Sequence, residues 1–461
     1  MANLFEKSSE NDEAPQGGLL TVVEAANRTG KPEELIRDYL LRGRVAPRDA
    51  QGKKLEGMPA TGGFVQEKEL LRFLDLVQQD VEKYQAEGLN SDLGFFDVPE
   101  WERTKHVHRL HPYLGKFIPQ LVEYFLSRFF EPGQRVLDPF MGSGTTLVQA
   151  NELNLHSAGF DVSEFNCKIV SVKTKKYDLD AVGLEVGEAF ERVAAFSRER
   201  FEDSGGLFQD SLPEFETESG YLNTWFAPRS LQEILFYRSI IPEFEHQDLL
   251  RVVLSRAARS ARLIPHYDLA TPKEPIREPY YCYKHKRTCD PIRECLKFLR
   301  RYSEDTVRRL REFDALRTGR EIQIIHGDSR KIALEGPVHG VFTSPPYLGQ
   351  IDYHQQHTYA YELFEIPRRD EQEIGPKSSG KSKKAREGYV EGIAGVLQNV
   401  NQFIQPGGPI FIVANDRLEL YPEIAERSGL RIEDVQKRAV SKRTERDNRP
   451  YSESIFLMRG S

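Results

Sequence analysis

Short apolar runs that end in small or acidic residues recur along this chain. They are "RVLDPF" (135–140), "HSAGFDV" (156–162), "EIQIIHGDS" (321–329), "GVFTSPPY" (340–347), "GPIFIVAND" (408–416) and "ESIFLMR" (453–459). Each has the length and composition of a buried strand. Between the first of them lie "TTLVQANEL" (145–153) and "SEFNCKIVSVKTKKY" (163–177), whose apolar positions repeat at helical spacing. Buried strands alternating with helices predict an α/β fold with a doubly wound sheet covered on both faces.

The pattern also divides the chain. Residues 1–17 are polar and read as a disordered tail. Residues 18–76 hold two short amphipathic stretches broken at Gly30, then a Gly- and Lys-containing turn, a short strand and a helix start. Residues 77–105 read as a helix and linker. The sheet pattern occupies 106–177 and 321–461. Between these halves, 178–320 is helical in period, as in "SLQEILFYRSIIPEF", and reads as a mostly helical insertion.

Composition narrows the class. With 461 residues and 39% hydrophobic content, the chain can form more than one core. No apolar run approaches a membrane span, and the N-terminus has no signal-peptide core, so the expectation is a cytoplasmic, nucleoid-associated protein without membrane contact. A formal net charge of −7 argues against nucleic-acid binding by bulk charge. Local patches remain: "KSSGKSKKAR" (377–386), with Lys381, Lys383 and Lys384, and "KRAVSKRTERDNR" (437–449), with Arg443 and Arg446. Each could equally be a solvated face. Cys282, His285, Cys289 and Cys295 lie close together and could ligate zinc. Their spacing matches no paired zinc pattern, so the expectation is a chance cluster and no metal.

The candidate chemistry sits at strand ends. In "VLDPFMGSGTT", Gly142 and Gly144 let the backbone approach a ligand as a strand turns into a helix, whose first N–H groups are unpaired. The next strand ends in Asp161, placed to accept from ribose hydroxyls. A third ends in Asp328, placed to accept from an adenine amino group. Together these describe an adenosine pocket, although any one aspartate could be a helix cap.

The run Gly340-Val341-Phe342 meets Ser344, Pro345, Pro346 and Tyr347. Prolines cannot donate from the main chain. A strand end offering only acceptors suits a substrate that brings N–H donors. The Ser344 hydroxyl can accept. The Pro345 carbonyl precedes a proline, which fixes its direction. Tyr347 offers a face on which a base can stack. An amino group on a base is a poor nucleophile, because its lone pair is delocalised into the ring. Two acceptors on its hydrogens would localise that pair, and fixed dipoles are the kind of catalysis a protein does well.

These motifs resemble the amino-methylating DNA methyltransferases, which act on cytosine N4 or adenine N6 with S-adenosylmethionine. "DPFMGSGTT" is similar to their cofactor motif, "TSPPY" to their catalytic motif, and "HPYLGKFIPQL" (111–121) to the segment closing over the methionine end. The resemblance implies a Rossmann-like methyltransferase sheet. It gives Ser344, Pro345, Pro346 and Tyr347 the grip on the base, and Asp138, Pro139, Phe140, Gly142, Gly144 and Thr145 the methionine end. Asp161 would hold the ribose and Asp328 the adenine, with Lys116 and Phe117 in the lid. It implies duplex DNA as substrate, base flipping, and Asp352, Tyr353 and His357 in the base pocket. A core histidine is the blander reading of His357. Serine in the first catalytic position is more typical of N4-cytosine enzymes. A cognate restriction endonuclease is an implied partner, and the chain could work as monomer or homodimer.

Residues 18–76 resemble the winged helix-turn-helix of excisionase and MerR-type DNA binders through Thr21, Glu24, Ala25, Ala26, Arg37, Leu40 and Arg42-Gly43-Arg44. That resemblance makes Arg37, Arg42, Arg44 and Arg48 the candidate DNA contacts. A docking or dimerisation module of the same size is the alternative. For the whole chain the alternatives are N6-adenine or RNA methylation, or a non-catalytic DNA-binding regulator. Carbon-5 cytosine chemistry needs a cysteine nucleophile, and none lies near Tyr347.

Overall fold

The computed structural model describes residues 18–41, 44–55, 63–95, 98–202, 214–268, 272–331, 333–440 and 451–460. Its strands are β1 Leu19–Thr21, β2 Phe64–Gln66, β3 Arg135–Asp138, β4 His156–Asp161, β5 Tyr280–Cys282, β6 Arg287–Cys289, β7 Ile322–His326, β8 Gly340–Thr343, β9 Ile410–Ala414, β10 Leu430–Val440 and β11 Tyr451–Gly460. Seven form one sheet in the order β10-β11-β9-β8-β3-β4-β7. The pairings of β3 with β4, β3 with β8 and β4 with β7 are parallel.

The chain therefore runs outward from β3 through β4 to β7, then returns to the other side of β3 as β8. In a doubly wound sheet, such a reversal opens a crevice beyond the carboxyl ends of the strands. Asp138, Asp161 and Thr343 close β3, β4 and β8 on that edge. Strand β10 went unforeseen because its apolar residues are scattered among charged ones and form no run.

By contacts the chain divides into two compact units: 1–104 with 412–419 and 432–457, and 105–411 with 420–431 and 458–461. The second unit holds the central strands and the segment 178–320. That segment contains helices Leu179–Phe201, Gly220–Trp225, Pro228–Ile240, Gln247–Ala261 and Leu296–Asp314, and the ribbon of β5 and β6. Its core merges Val186, Val193, Leu250 and Leu299 with Val148, Phe165 and Ile169 on the helices flanking β4.

In the first unit, helices Val22–Thr29 and Glu33–Leu41 precede β2, which pairs antiparallel with β1. Thr21 and Glu24 form a reciprocal capping box, and Gly30 ends the first helix in the left-handed conformation at φ 66°. Val22, Ala25, Leu35, Ile36, Leu40 and Val65 give this segment its own core. The expected tail at 1–17, and Arg42, Arg443 and Arg446, lie outside the described residues.

Candidate functional site: a cleft at the sheet edge

A cleft of about 870 Å³ opens in the second unit, among the ends of the parallel strands. Its wall includes Asp138, Pro139, Phe140, Gly142 and Thr145 from the β3 turn, Asp161 from β4, Asp328 after β7, and Ser344 and Pro346 after β8. Lys116, Phe117 and Tyr353 also line it.

The glycine turn is built for close approach. Gly142 has φ 47° and Gly144 φ 76°, both in the left-handed region. A Cβ on Gly142 would lie 2.8 Å from the Tyr113 hydroxyl, and one on Gly144 2.7 Å from Val170 Cγ1. Only hydrogen fits at either place. Helix Thr145–Glu152 begins here and aims its unpaired N–H groups at the turn.

Asp138 is buried and Asp161 half-buried, and both carboxyls face strong desolvation. Asp138 Oδ1 accepts from Thr343 Oγ1 at 2.6 Å and from the Phe140 nitrogen at 3.1 Å. Burial still pushes its carboxyl up to about 6. Asp161 accepts from the main-chain nitrogens of Gly142 (3.0 Å) and Ser163 (2.8 Å) and from Asn166 Nδ2 (3.2 Å). Burial outweighs these bonds and pushes it up to about 7. Asp328 differs. Burial would raise its carboxyl, but Arg330 Nε and Nη2 donate at 2.9 and 2.7 Å and hold it below the usual range.

At the end of β8 the four predicted residues part company. Ser344 and Pro346 line the cleft, whereas Pro345 and Tyr347 are buried beside it. The Pro346 carbonyl already accepts from the Tyr389 hydroxyl at 3.0 Å. Among the described residues, neither the Ser344 hydroxyl nor the Pro345 carbonyl has a hydrogen-bond partner. The Ser344 hydroxyl thus stands unclaimed in the cleft, and the Pro345 carbonyl unclaimed beside it.

The lid segment also reaches the cleft. Lys116 Nζ donates to the His108 carbonyl at 2.6 Å, and Phe117 meets Phe342 edge-on at 5.4 Å between centroids. Tyr353 stacks with Tyr113 at 5.9 Å. Two predicted pocket residues are elsewhere. His357 is 2% exposed, packed against His111 and Phe165, and held to about pKa 3 by burial. It is a core histidine. Asp352 does not line the cleft; its Oδ1 accepts from the Ser378 nitrogen at 2.9 Å.

Sequence reasoning missed His354, Gln372 and Glu373, which line the cleft, with Glu373 bonded to both the ring and the main chain of His354. It also missed Lys173, a buried amine that donates to the Ser143 carbonyl at 2.6 Å and braces the glycine turn from behind. Burial lowers its pKa far below the usual lysine value. Its only sequence signal was a lysine on an otherwise buried helix.

One expected DNA contact is held by partners within its own unit. Arg48 donates to the Gly52 carbonyl at 2.7 Å and pairs with Glu69 at 3.2 Å. Within the second basic stretch, Arg438 is 1% exposed and its guanidinium pairs with Glu453 at 2.7 Å. Arg37 and Arg44 are half-buried to exposed on the first unit, with Arg37 3.7 Å from Glu33. Lys381, Lys383 and Lys384 are exposed.

The sequence has relatives among known proteins. A family model described as DNA methylase, for N6 and N4 enzymes, matches residues 61–172. The Type II methyltransferase M.MjaII of Methanocaldococcus jannaschii is 42% identical over 442 residues, covering 80% of this chain and 83% of that one. The chain belongs to the N4/N6 family of DNA methyltransferases. The Type II methyltransferase M.MvaI of Kocuria varians is 26% identical over 38% of this chain and 37% of its own. M.BsoBI of Geobacillus stearothermophilus is 25% identical over 57% and 53%.

Methyltransferases of this kind use S-adenosylmethionine, and the cleft fits it. The glycine turn admits a ligand where a Cβ could not stand, two carboxylates offer acceptors, and Phe140 gives a flat apolar wall. None of the four cysteines lines the cleft. Cys167, nearest in sequence to Asp161, is a buried thiol whose pKa burial raises, a poor nucleophile. No helix among the described residues is long and apolar enough to cross a membrane.

Proposed function

We propose that this DNA methyltransferase modifies the exocyclic N4 amino group of cytosine in duplex DNA by direct transfer. The observation that carries the reading is the Ser344 hydroxyl, unpartnered and facing the same cleft as the Gly142 turn and Asp161. Bound S-adenosylmethionine supplies the electrophile, a methyl group on a sulfonium. The chain's own part is positional and electrostatic. The Ser344 hydroxyl and the Pro345 carbonyl accept the two amino hydrogens and localise the nitrogen lone pair. The N–CH3 bond forms as the S–CH3 bond breaks, and the nitrogen then loses one proton, through these acceptors, to water. No covalent bond to the enzyme is needed, in keeping with the lack of a thiol in the cleft.

Asp161 holds the ribose, Asp328 the adenine, and Asp138, Gly142, Gly144 and Thr145 the methionine end. The target base leaves the stack to reach Ser344. Tyr347 supplies its stacking face once the base displaces what covers that ring, and Tyr353 forms the opposite wall. Residues 18–76 act as a winged helix-turn-helix on DNA, with Arg37 and Arg44 as phosphate contacts. The helical segment 178–320 reads the target site. A restriction endonuclease of the same specificity is the matching partner.

The test is nucleoside analysis. Duplex DNA is incubated with enzyme and tritiated S-adenosylmethionine, then digested to nucleosides. Label in N4-methylcytosine supports the proposal. Label in N6-methyladenine would move the substrate to adenine, and label in 5-methylcytosine would sink the mechanism.

A further inference from the structure

The insertion carries a second cluster of chemistry that methyl transfer does not use. Strands β5 and β6 form an antiparallel ribbon three residues long on each side, with Cys282 opposite Arg287 and Tyr280 opposite Cys289. A two-stranded ribbon this short is marginal in water and needs a staple. Cys282 and Cys289 are buried on one face of it, while Tyr281 and Tyr283 are exposed.

Two imidazoles converge on the same thiols. His285, in the connecting turn, has its Nδ1 3.4 Å from Cys289 Sγ. His266 comes from the loop before the ribbon, and its ring lies 4.7 Å from that of His285. One ligand atom from each of His266, Cys282, His285 and Cys289 falls within 4.8 Å of all the others. In a tetrahedral zinc site with bonds of about 2.3 Å to sulfur and 2.0–2.1 Å to nitrogen, ligand atoms stand roughly 3.5 Å apart. His285 Nδ1 and Cys289 Sγ already stand at that spacing, and no pair of the four is farther apart than 4.8 Å.

The surroundings fit a metal. The Tyr280 hydroxyl lies 3.0 Å from both the main-chain nitrogen and Nδ1 of His266 and orients its ring, as outer partners of metal-bound histidines do. Lys286, in the connecting turn, sits at φ 51°, a left-handed conformation that a non-glycine residue keeps only when neighbours dictate it.

We propose that His266, Cys282, His285 and Cys289 bind one structural zinc ion. The set corrects the cluster read from sequence. Cys295 is not in it: its nitrogen caps against Glu233 Oε2 at 2.5 Å, and its thiol is fully buried. Its place is taken by His266, upstream. With four protein ligands the site is closed, so it fastens the ribbon to the preceding loop and takes no part in catalysis. Two neighbouring sets of such side chains carry internal pairings: Lys105 pairs with Glu152, beside His106 and His108, at 2.6 Å, and Glu373 bonds His354 directly.

The test uses the full-length protein, expressed with zinc supplied and purified without chelator. Elemental analysis should find about one zinc per chain. Zinc-edge absorption on the same sample should show two sulfur and two nitrogen neighbours at the distances above. Cys282→Ser with Cys289→Ser should lose the zinc, and Cys295→Ser should keep it. His266→Ala should weaken retention against a chelator, a readout independent of folding defects in the cysteine variant. A protein free of zinc, a Cys282–Cys289 disulfide in the mass spectrum, or zinc lost in Cys295→Ser and kept in His266→Ala would overturn the assignment.

Discussion

Gly142 donates its main-chain N–H to Asp161 Oδ2 at 3.0 Å, which ties the turn after β3 to the end of β4. The bond matters because Asp161 must serve two masters. Its Oδ2 orders the turn, its Oδ1 accepts from Ser163 and Asn166, and in the proposed function its remaining lone pairs accept from the ligand. Burial makes its charged form costly while the cleft is empty, and a hydroxyl donor or a nearby sulfonium makes that form favourable again.

A pH dependence follows from the raised pKa. An acid whose folded pKa exceeds its unfolded one stabilises the fold while protonated. For Asp161 that contribution is complete below about pH 4 and is lost as pH rises through about 7. The Tm of the cofactor-free enzyme should fall from pH 5 to pH 8 more steeply than that of Asp161→Asn. Cofactor affinity should rise over the same interval in the native enzyme, with proton release visible by calorimetry in two buffers of different ionisation heat. A flat affinity would show that Asp161 does not accept from the ligand.

Ser344→Ala tests the acceptor at the end of β8. The side chain is small, lines the cleft and has no internal partner, so its loss should leave the fold intact. Turnover should fall about 10²–10³-fold, the scale for removing one group aimed at developing charge. Cofactor affinity should change less than twofold. Fluorescence titration beside single-turnover kinetics separates the two, and equal losses in both would mean the serine holds cofactor rather than base.

Much of this site is legible in the chain alone, and the reason is local. Asp138, Gly142, Gly144 and Thr145 lie within one strand-to-helix turn, so neighbouring residues dictate their places. Asp161 and Ser344 each close an apolar run that could only be a buried strand. What stayed hidden depends on distant partners. Lys173 reaches Ser143 only because its helix packs on the glycine turn after β3, and Glu373 finds His354 across a loop. Arg48 looked like a DNA contact until its guanidinium met Gly52 and Glu69. His357 looked like pocket chemistry until its ring proved to be core. Composition names the residue types; the fold decides which face outward.

Gly144→Ala should be severe. The position requires φ 76°, and the added methyl would stand 2.7 Å from Val170. Backbone strain and overpacking together cost about 2 kcal/mol or more. Because the strain falls on the turn, cofactor binding should weaken at least tenfold even where the protein still folds. Differential scanning fluorimetry with and without cofactor reads both effects. An unshifted Tm with normal cofactor stabilisation would show that the turn relaxes.

Arg48→Ala should lower stability without changing DNA affinity beyond what the loss of folded protein explains. Arg48 bridges Gly52 and Glu69 within the first unit, with its side chain 15% exposed. A part-buried charged bond of this kind contributes about 1–3 kcal/mol. Arg44→Ala should do the reverse, sparing the Tm and weakening DNA binding. If both substitutions weakened DNA equally at unchanged Tm, Arg48 would have to leave Glu69 when DNA binds.

The basic stretch at 377–386 makes the sharpest electrostatic prediction. It is stitched to the loop that follows Tyr347: the Lys377 nitrogen donates to the Ile351 carbonyl at 3.3 Å, and the Ser378 nitrogen to Asp352 Oδ1 at 2.9 Å. A Cβ on Gly349 would lie 3.0 Å from Lys381 Cγ, so this lysine stem packs on the rim beside the candidate catalytic loop. DNA whose base enters the cleft would pass its phosphates over Lys381, Lys383 and Lys384. Each phosphate contact lowers the slope of log affinity against log salt by about 0.9. Replacing all three lysines with glutamine should make that slope shallower by about 2–3, and weaken specific and non-specific DNA alike. Cofactor affinity should stay unchanged, since none of the three lines the cleft. An unaltered salt slope would return these lysines to the solvated surface and place the DNA path on another face of the enzyme.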